Sequence, residues 1–428
     1  METMVTQNHS GISVHVLNTS KFRSKHWAMR ISIPLERQLL TSAAVLPYLW
    51  MEGTSEFPSS RQLVQRTDEL YGTVLRTSIQ KRGSRHVMDI SASSPEELYI
   101  DGAQALTSLV QELLLSLLTK PALESSGAEF SSSHVKRAIA LHSRRIESLY
   151  DDKTTYAYEQ AILASCQGLV QGLPKYGYKD DLDGLTGSHL FSAHQEVLKN
   201  ADVDFYCVGR IPQPETFSDQ MIEALRPHFL SKCRQPSVLP VDTTRISPST
   251  NVHVEQQKVQ QAKLNRVYQT NVAYGSEDYP VAVVMNGILG AFPHSKLFVN
   301  VREKHSLAYY ASSRLEGMLG LLVIYAGIQP DKFEQTQSII SQQVEDVQSG
   351  RVSEEELTFT KDALLNQFRQ AEDQPLSIID FHYSGQLSGN PSGMELFREQ
   401  ISRVSVKDVQ RVAGKLRESA TYLLTNEG

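Results

Sequence analysis

The chain has 428 residues, which at roughly 150 residues per domain predicts two or three domains. Its 40% hydrophobic and 21% charged residues are a globular balance, which excludes a disordered, collagen-like or low-complexity chain. The formal net charge of −6 argues against a general nucleic-acid surface.

No apolar run is long enough for a transmembrane helix, and the start METMVTQNHSG lacks the basic and apolar regions of a signal peptide. Cys166, Cys207 and Cys233 are too few and too scattered for a disulfide framework or a zinc knuckle. The expectation is a soluble, cytoplasmic protein without contact to membrane or nucleic acid.

Taken in chain order, residues 26–35 predict a strand and the apolar stretch 41–51 a helix. Residues 59–72 form an amphipathic pattern with Leu63, Leu70 and Tyr71 near one face. Residues 73–80 and 85–93 alternate with period two around Arg82, Gly83 and Ser84, which predicts a hairpin. Residues 231–251 are rich in Pro, Ser and Thr and read as a linker. Beyond it, residues 265–275 predict a strand, 278–290 an apolar helix and 294–305 an amphipathic segment. Residues 307–315 and 320–328 predict two more strands around 316–319. The order strand–helix–helix–strand–strand thus occurs twice, displaced by about 235–240 residues, which predicts two homologous domains.

Long helices follow in the second half. Residues 331–350 end on Gly350, Ser353 with Glu356 makes a capping box, and Ser405 with Asp408 caps a later helix. Residues 421–425 close the chain as a strand. Each half therefore mixes a sheet with helices, an α+β fold. The expected domains are 1–230 and 252–428, with 231–251 between them.

Residues 288–313 carry Ser295, Leu297, Phe298, Val301, Arg302, Glu303, Lys304, Leu307, Ala308 and Tyr309 in a dense S-x-L-F…V-R-E-K-x-x-L-A-Y pattern. That segment resembles the second half of the insulinase-like M16 zinc metallopeptidases, the pitrilysin-like and mitochondrial-processing-peptidase-like family. The resemblance extends over nearly the whole chain. It implies two duplicated α/β sandwich domains of the LuxS/MPP-like type, each an antiparallel-rich sheet packed with helices.

Residues 46–75 resemble the family's metal-binding segment, H-x-x-E-H-x-x-x-x-G-T, with Gly53 and Thr54 fixing the register. In that motif two His at i and i+4 bind zinc from one helix face, and the Glu between them activates the metal-bound water. The three positions here are Ala44, Pro47 and Tyr48. Ala has no donor atom, Pro has no carboxylate, and a phenol with a pKa of about 10 is a poor zinc ligand. Pro47 inside a helix costs roughly 3 kcal/mol unless the helix starts there. Aligned on Asp151 and Asp152, the family's distal Glu ligand falls near Arg145 or Ile146, with Glu147 out of step. The remaining His residues, among them His86, His134, His142, His194, His253, His294, His305 and His382, show no H-x-x-x-H or H-x-H spacing and read as scattered surface residues. Glu52, Asp68 and Glu69 read as exposed helix positions. The chain has no G-x-S-x-G, P-loop or Rossmann fingerprint for a different chemistry.

The resemblance therefore implies a catalytically inactive subunit with no metal or cofactor of its own. Its partner would be an active M16 zinc-peptidase paralogue bearing H-x-x-E-H, and the zinc would sit in that partner alone. Arg302 and Tyr309 match the family's substrate-contacting positions and imply contact with a peptide substrate. Residues 46–48, 148–159, 172–186 and 258–269 further resemble the inactive YmfF-type members. That branch implies a link to the 5-aminopentanol modification of elongation factor P. Either a hetero- or a homodimer fits, and a non-proteolytic structural or peptide-binding scaffold is the alternative.

Overall fold

A computed structural model describes residues 3–103, 105–229 and 252–426. The predicted linker and Cys233 lie outside the described residues. The chain divides into two units, each built on one sheet.

The first sheet holds β1 (Val5–His9), β2 (Ile12–Asn18), β3 (Ser24–Pro34), β4 (Val74–Arg82), β5 (Arg85–Pro95) and β6 (Asp202–Gly209) in the order β1-β2-β6-β3-β5-β4. The second holds β7 (Val252–Gln256), β8 (Ala262–Gln269), β9 (Ala308–Glu316), β10 (Leu321–Ile328) and β11 (Arg417–Thr425) in the order β7-β11-β8-β10-β9. Without β1, the two sheets share one topology. β2 runs parallel to β6 as β7 does to β11, and every other neighbouring pair is antiparallel. The predicted duplication of α+β domains is therefore present.

One face of the first sheet packs on the helices Arg37–Trp50, Leu106–Thr119, Gly187–Asn200 and Pro214–Leu225. Trp27 anchors that core between Phe205 and Phe217, with ring centroids 6.3 and 6.1 Å away. Its indole N–H donates to Ser94 Oγ at 3.2 Å, so burial leaves no orphan donor. The alternate positions on β2, β3, β5 and β6 are also buried but polar. His15 Nε2 lies 2.9 Å from Asp204, Arg30 donates to Asp89 at 3.2 Å, and Arg85 donates to Asp202 at 2.6 Å. Paired in this way, buried charges become tolerable.

The second sheet is covered on one face by helices from its own half, including Tyr279–Asn286, Phe333–Gln348 and Glu354–Ala371. A separate cluster forms around the helix Lys153–Ser165, which comes from the first half of the chain. Its Ala157, Ala161 and Ile162 pack with Val267, Leu321, Val323, Ala420, Tyr422 and Leu424. Residues Ser148–Gly172 accordingly belong to the second unit, so the boundary expected at 230 misses an exchanged segment. Periodicity shows that such a helix exists but not which sheet it covers.

Local expectations differ from the structure in four places. The strand predicted over 265–275 ends at Gln269, because Asn271 adopts a positive φ of 51° and turns the chain. The helix predicted over 278–290 is α-helical only to Asn286 and continues as a π-helix, Gly287–Ala291. The amphipathic segment contains a second π-helix, Phe298–Lys304. Tyr71 lies beyond the helix Ser60–Glu69 in a left-handed conformation and is exposed. Both capping boxes, Ser353 with Glu356 and Ser405 with Asp408, form as predicted. No helix of the described residues is long and apolar enough to cross a membrane.

Candidate functional site

The helix Arg37–Trp50 presents the three positions at which the metal motif would stand. Ala44 and Pro47 are buried and Tyr48 is half-buried. The helix does not start at Pro47, the condition under which the sequence reading allowed a proline there. It begins ten positions earlier and runs through Pro47 in its last turn to Trp50. There Pro47 withholds the N–H that would bond back to the Ala43 carbonyl, and its ring crowds that carbonyl.

Tyr48 packs against His142, which belongs to a group of side chains drawn from three distant segments. His142, on the helix Ser132–Asp151, meets the Tyr48 ring edge-on at 5.5 Å and the Tyr176 ring at 6.1 Å. Arg145 donates from Nε to the Tyr176 hydroxyl at 3.0 Å, and its guanidinium lies over that ring. His142 Nε2–H donates to the Tyr176 carbonyl at 2.7 Å, and His86 Nε2–H donates to the adjacent Lys175 carbonyl at 3.0 Å. A carbonyl only accepts, so both imidazoles carry their proton on Nε2. Burial holds both below the usual His pKa, His86 at about 4. Burial raises the Tyr48 phenol, with Tyr176 adding to the effect, so its hydroxyl stays protonated.

The loop carrying Tyr176 is tied down along its length. Thr41 Oγ1 donates to Asp181 at 2.6 Å and accepts from the Tyr178 N–H at 3.1 Å. Arg37 binds Asp181 through both terminal nitrogens at 2.7 and 2.9 Å, with its guanidinium 4.0 Å over the Tyr178 ring. Lys81 donates to the Leu173 carbonyl at 3.0 Å. Gly177, at φ 71°, sits directly on Thr41.

This donor set does not fit zinc. Two of the three positions have no donor and the third offers a protonated phenol. Among the described residues, no group of three His, Cys, Asp or Glu side chains could hold a metal ion. At the distal position, Arg145 is held by Tyr176 and Glu147 pairs with Lys179 at 2.8 Å on the surface. The residue on that helix that packs against Tyr48 is His142, which sequence alignment on Asp151 and Asp152 does not single out.

Two further expectations are corrected. His86, His142 and His194 are buried rather than scattered on the surface, whereas His253 and His305 are exposed. Glu52 is only 5% exposed and accepts from Arg137 Nε at 2.8 Å, whereas Asp68 and Glu69 are exposed as expected.

The buried imidazoles predict an acid-sensitive first unit. His86 and His194 are both lowered from 6.5 to about 4 by burial. The folded state favours the neutral ring, so this stability is present above pH 6.5 and lost as pH falls through 4. At pH 5 each ring is expected to cost on the order of 2 kcal/mol. Urea midpoints at pH 7 and pH 5 measure this, and His86→Gln should reduce the difference. An unchanged midpoint contradicts the assignment.

In the second unit, Arg302 lies on the π-helix Phe298–Lys304 and Tyr309 on the edge strand β9. The Arg302 guanidinium stacks 4.6 Å over Phe298 and reaches Glu303 at 3.7 Å, with its side chain 43% exposed. Tyr309 is 66% exposed. The apolar members of the same segment, Leu297, Val301, Leu307 and Ala308, are buried in the core. The segment thus divides into residues that fix the backbone and residues held out to solvent.

The family described as "Peptidase M16 inactive domain" matches residues 184–364. The "probable inactive metalloprotease YmfF" of Bacillus subtilis (strain 168) is 32% identical over 416 residues, covering 97% of this chain and 96% of that protein. The chain belongs to the M16 peptidase family. Its M16 fold matches a conserved protein from Enterococcus faecalis V583 with a TM-score of 0.89 and 27% identity over 99% of both chains. An M16 inactive-domain protein from Pseudomonas fluorescens matches at a TM-score of 0.79 and 14% identity, over 99% of this chain and 98% of that one, and supports the fold alone. Within the M16 family this is an inactive, metalloprotease-like member.

Proposed function

We propose that this chain is the non-catalytic subunit of an intracellular peptide-processing heterodimer. The active M16 partner supplies H-x-x-E-H and the zinc. This subunit supplies Arg302 and Tyr309, whose guanidinium and phenol donate hydrogen bonds to a substrate carbonyl and to the oxyanion that develops from it. One contrast carries the reading. At the three metal positions Ala44 and Pro47 are buried without a donor and Tyr48 packs against His142, while Arg302 and Tyr309 remain exposed on a backbone fixed by Val301 and Leu307. A link to elongation factor P modification is part of the proposal and rests on the likeness to YmfF.

Co-expression of the tagged chain with an H-x-x-E-H paralogue from the same genome tests it. The two are expected to co-purify and to cleave unstructured peptides. Arg302→Ala is expected to lower that activity by roughly a hundredfold, as for other oxyanion donors. Cleavage by this chain alone with added zinc sinks the proposal. A stable pair whose activity ignores Arg302→Ala identifies a scaffold instead.

A further inference from the structure

A cavity of about 300 Å³ lies in the second unit, away from Arg302 and Tyr309 in sequence. Four aromatic rings line it. Tyr274 lies in the turn after β8, Tyr279 at the start of the following helix, Phe381 on the helix Pro375–Ser388 and Phe397 on the helix Met394–Arg403. The rings form a continuous set, with centroids 4.5 Å apart for Tyr274–Tyr279, 5.9 Å for Tyr279–Phe397 and 5.6 Å for Phe381–Phe397.

The charge at this cavity is one-sided. No Lys or Arg lines it, and the charged residue that does is Glu277. Glu277 is exposed and, among the described residues, has no ion-pair partner. Its neighbour Asp278 is matched by Arg411 at 2.7 Å and Lys415 at 2.6 Å. The walls are also held in place before any ligand arrives. The Asn390 amide donates to the Gly275 carbonyl, and the Tyr274 N–H donates to Gly317 at 3.1 Å. Gly275 has φ 78°, and a Cβ there would stand 2.6 Å from Ser388 Oγ, so the two loops meet where only glycine fits.

Aromatic faces carry negative potential, and a carboxylate beside them adds a full charge. A neutral apolar ligand uses the rings but leaves Glu277 unmatched. An organic cation uses both. We propose that this cavity binds an alkylammonium group, the side chain of a lysine on an extended polypeptide. The volume admits one long side chain rather than a folded partner. The proposal does not depend on the peptidase-pair reading.

Titration of the full-length protein with n-butylammonium chloride and with n-butanol, followed by NMR or calorimetry, tests it. The cation is expected to bind saturably at millimolar concentration and roughly tenfold more tightly than the alcohol. Glu277→Gln, at an exposed side chain, should remove most of that preference while the circular dichroism spectrum stays unchanged. A short peptide with one lysine should compete for the site, and its Nε-acetylated form should not. Equal binding of the two probes, indifference to Glu277→Gln, or no saturable binding overturns the assignment.

Discussion

A fragment comprising residues 252–428 is expected to remain loosely packed, and a synthetic peptide of residues 148–172 is expected to make it fold. The helix Lys153–Ser165 is the cover for one face of the second sheet. Val267, Leu321, Val323, Ala420 and Leu424 on that face are fully buried. Exposing each of the four Val and Leu side chains costs about 1.5–3 kcal/mol, so uncovering them costs roughly 6–12 kcal/mol. That equals the whole stability of an ordinary domain, about 5–15 kcal/mol. The helix also matches polar groups at the edges of the face. Tyr158 donates to Glu316 at 2.7 Å, Tyr156 donates to Glu255 at 3.2 Å, and Ser165 meets Ser419 at 2.7 Å. Near-ultraviolet circular dichroism and dye binding distinguish the two states. Cooperative unfolding of 252–428 alone, without dye binding, contradicts the prediction.

Gly177→Ala is expected to destabilise the first unit by about 2–4 kcal/mol. Two effects add. The residue has φ 71°, which an L side chain tolerates poorly. Its new Cβ would also stand 2.3 Å from Thr41 Oγ1 and 2.7 Å from Thr41 Cα. Thr41 cannot yield easily, because it is bound to both Asp181 and the Tyr178 N–H. The loop would lift, and the carbonyls that receive His86 and His142 would move with it. Denaturant midpoints measure the loss, and limited proteolysis between residues 173 and 184 reports the lifting. Gly184→Ala is the control. It has no positive φ and nothing near its Cβ, so it should change stability by less than about 0.5 kcal/mol. Equal effects of the two substitutions show that the loop is not held at Thr41.

The architecture was largely legible in the sequence, and the reason is local. The hairpin of β4 and β5, the apolar run of β3 and the capping boxes at Ser353 and Ser405 each announce themselves within about ten residues. Repeated at one offset, such signals disclose a duplicated domain. That the H-x-x-E-H pattern is missing at Ala44, Pro47 and Tyr48 was legible for the same reason, since the three lie within five residues of one another. What replaced it was not. His86, His142 and Tyr176 come from a strand, a helix and a loop that only the folded sheet brings together. A lone histidine carries no sequence sign that its Nε2–H meets a backbone carbonyl. The exchange of Ser148–Gly172 was hidden too, because an amphipathic helix records that it is buried but not against which partner.

The filled motif also shapes which mutations could restore activity. A zinc hydrolase site of this kind needs two imidazoles one helical turn apart, a carboxylate between them and a distal third ligand. Ala44→His alone forces a ring into a fully buried position, and Pro47→Glu alone buries an unmatched carboxylate. Tyr48→His alone trades the phenol packed against His142 for a second imidazole. None of these single steps yields a metal-bound water, and the first two weaken the fold. A zinc site here therefore requires four coordinated substitutions, three on the helix Arg37–Trp50 and one at the distal position near Arg145, before any of them yields a metal-bound water.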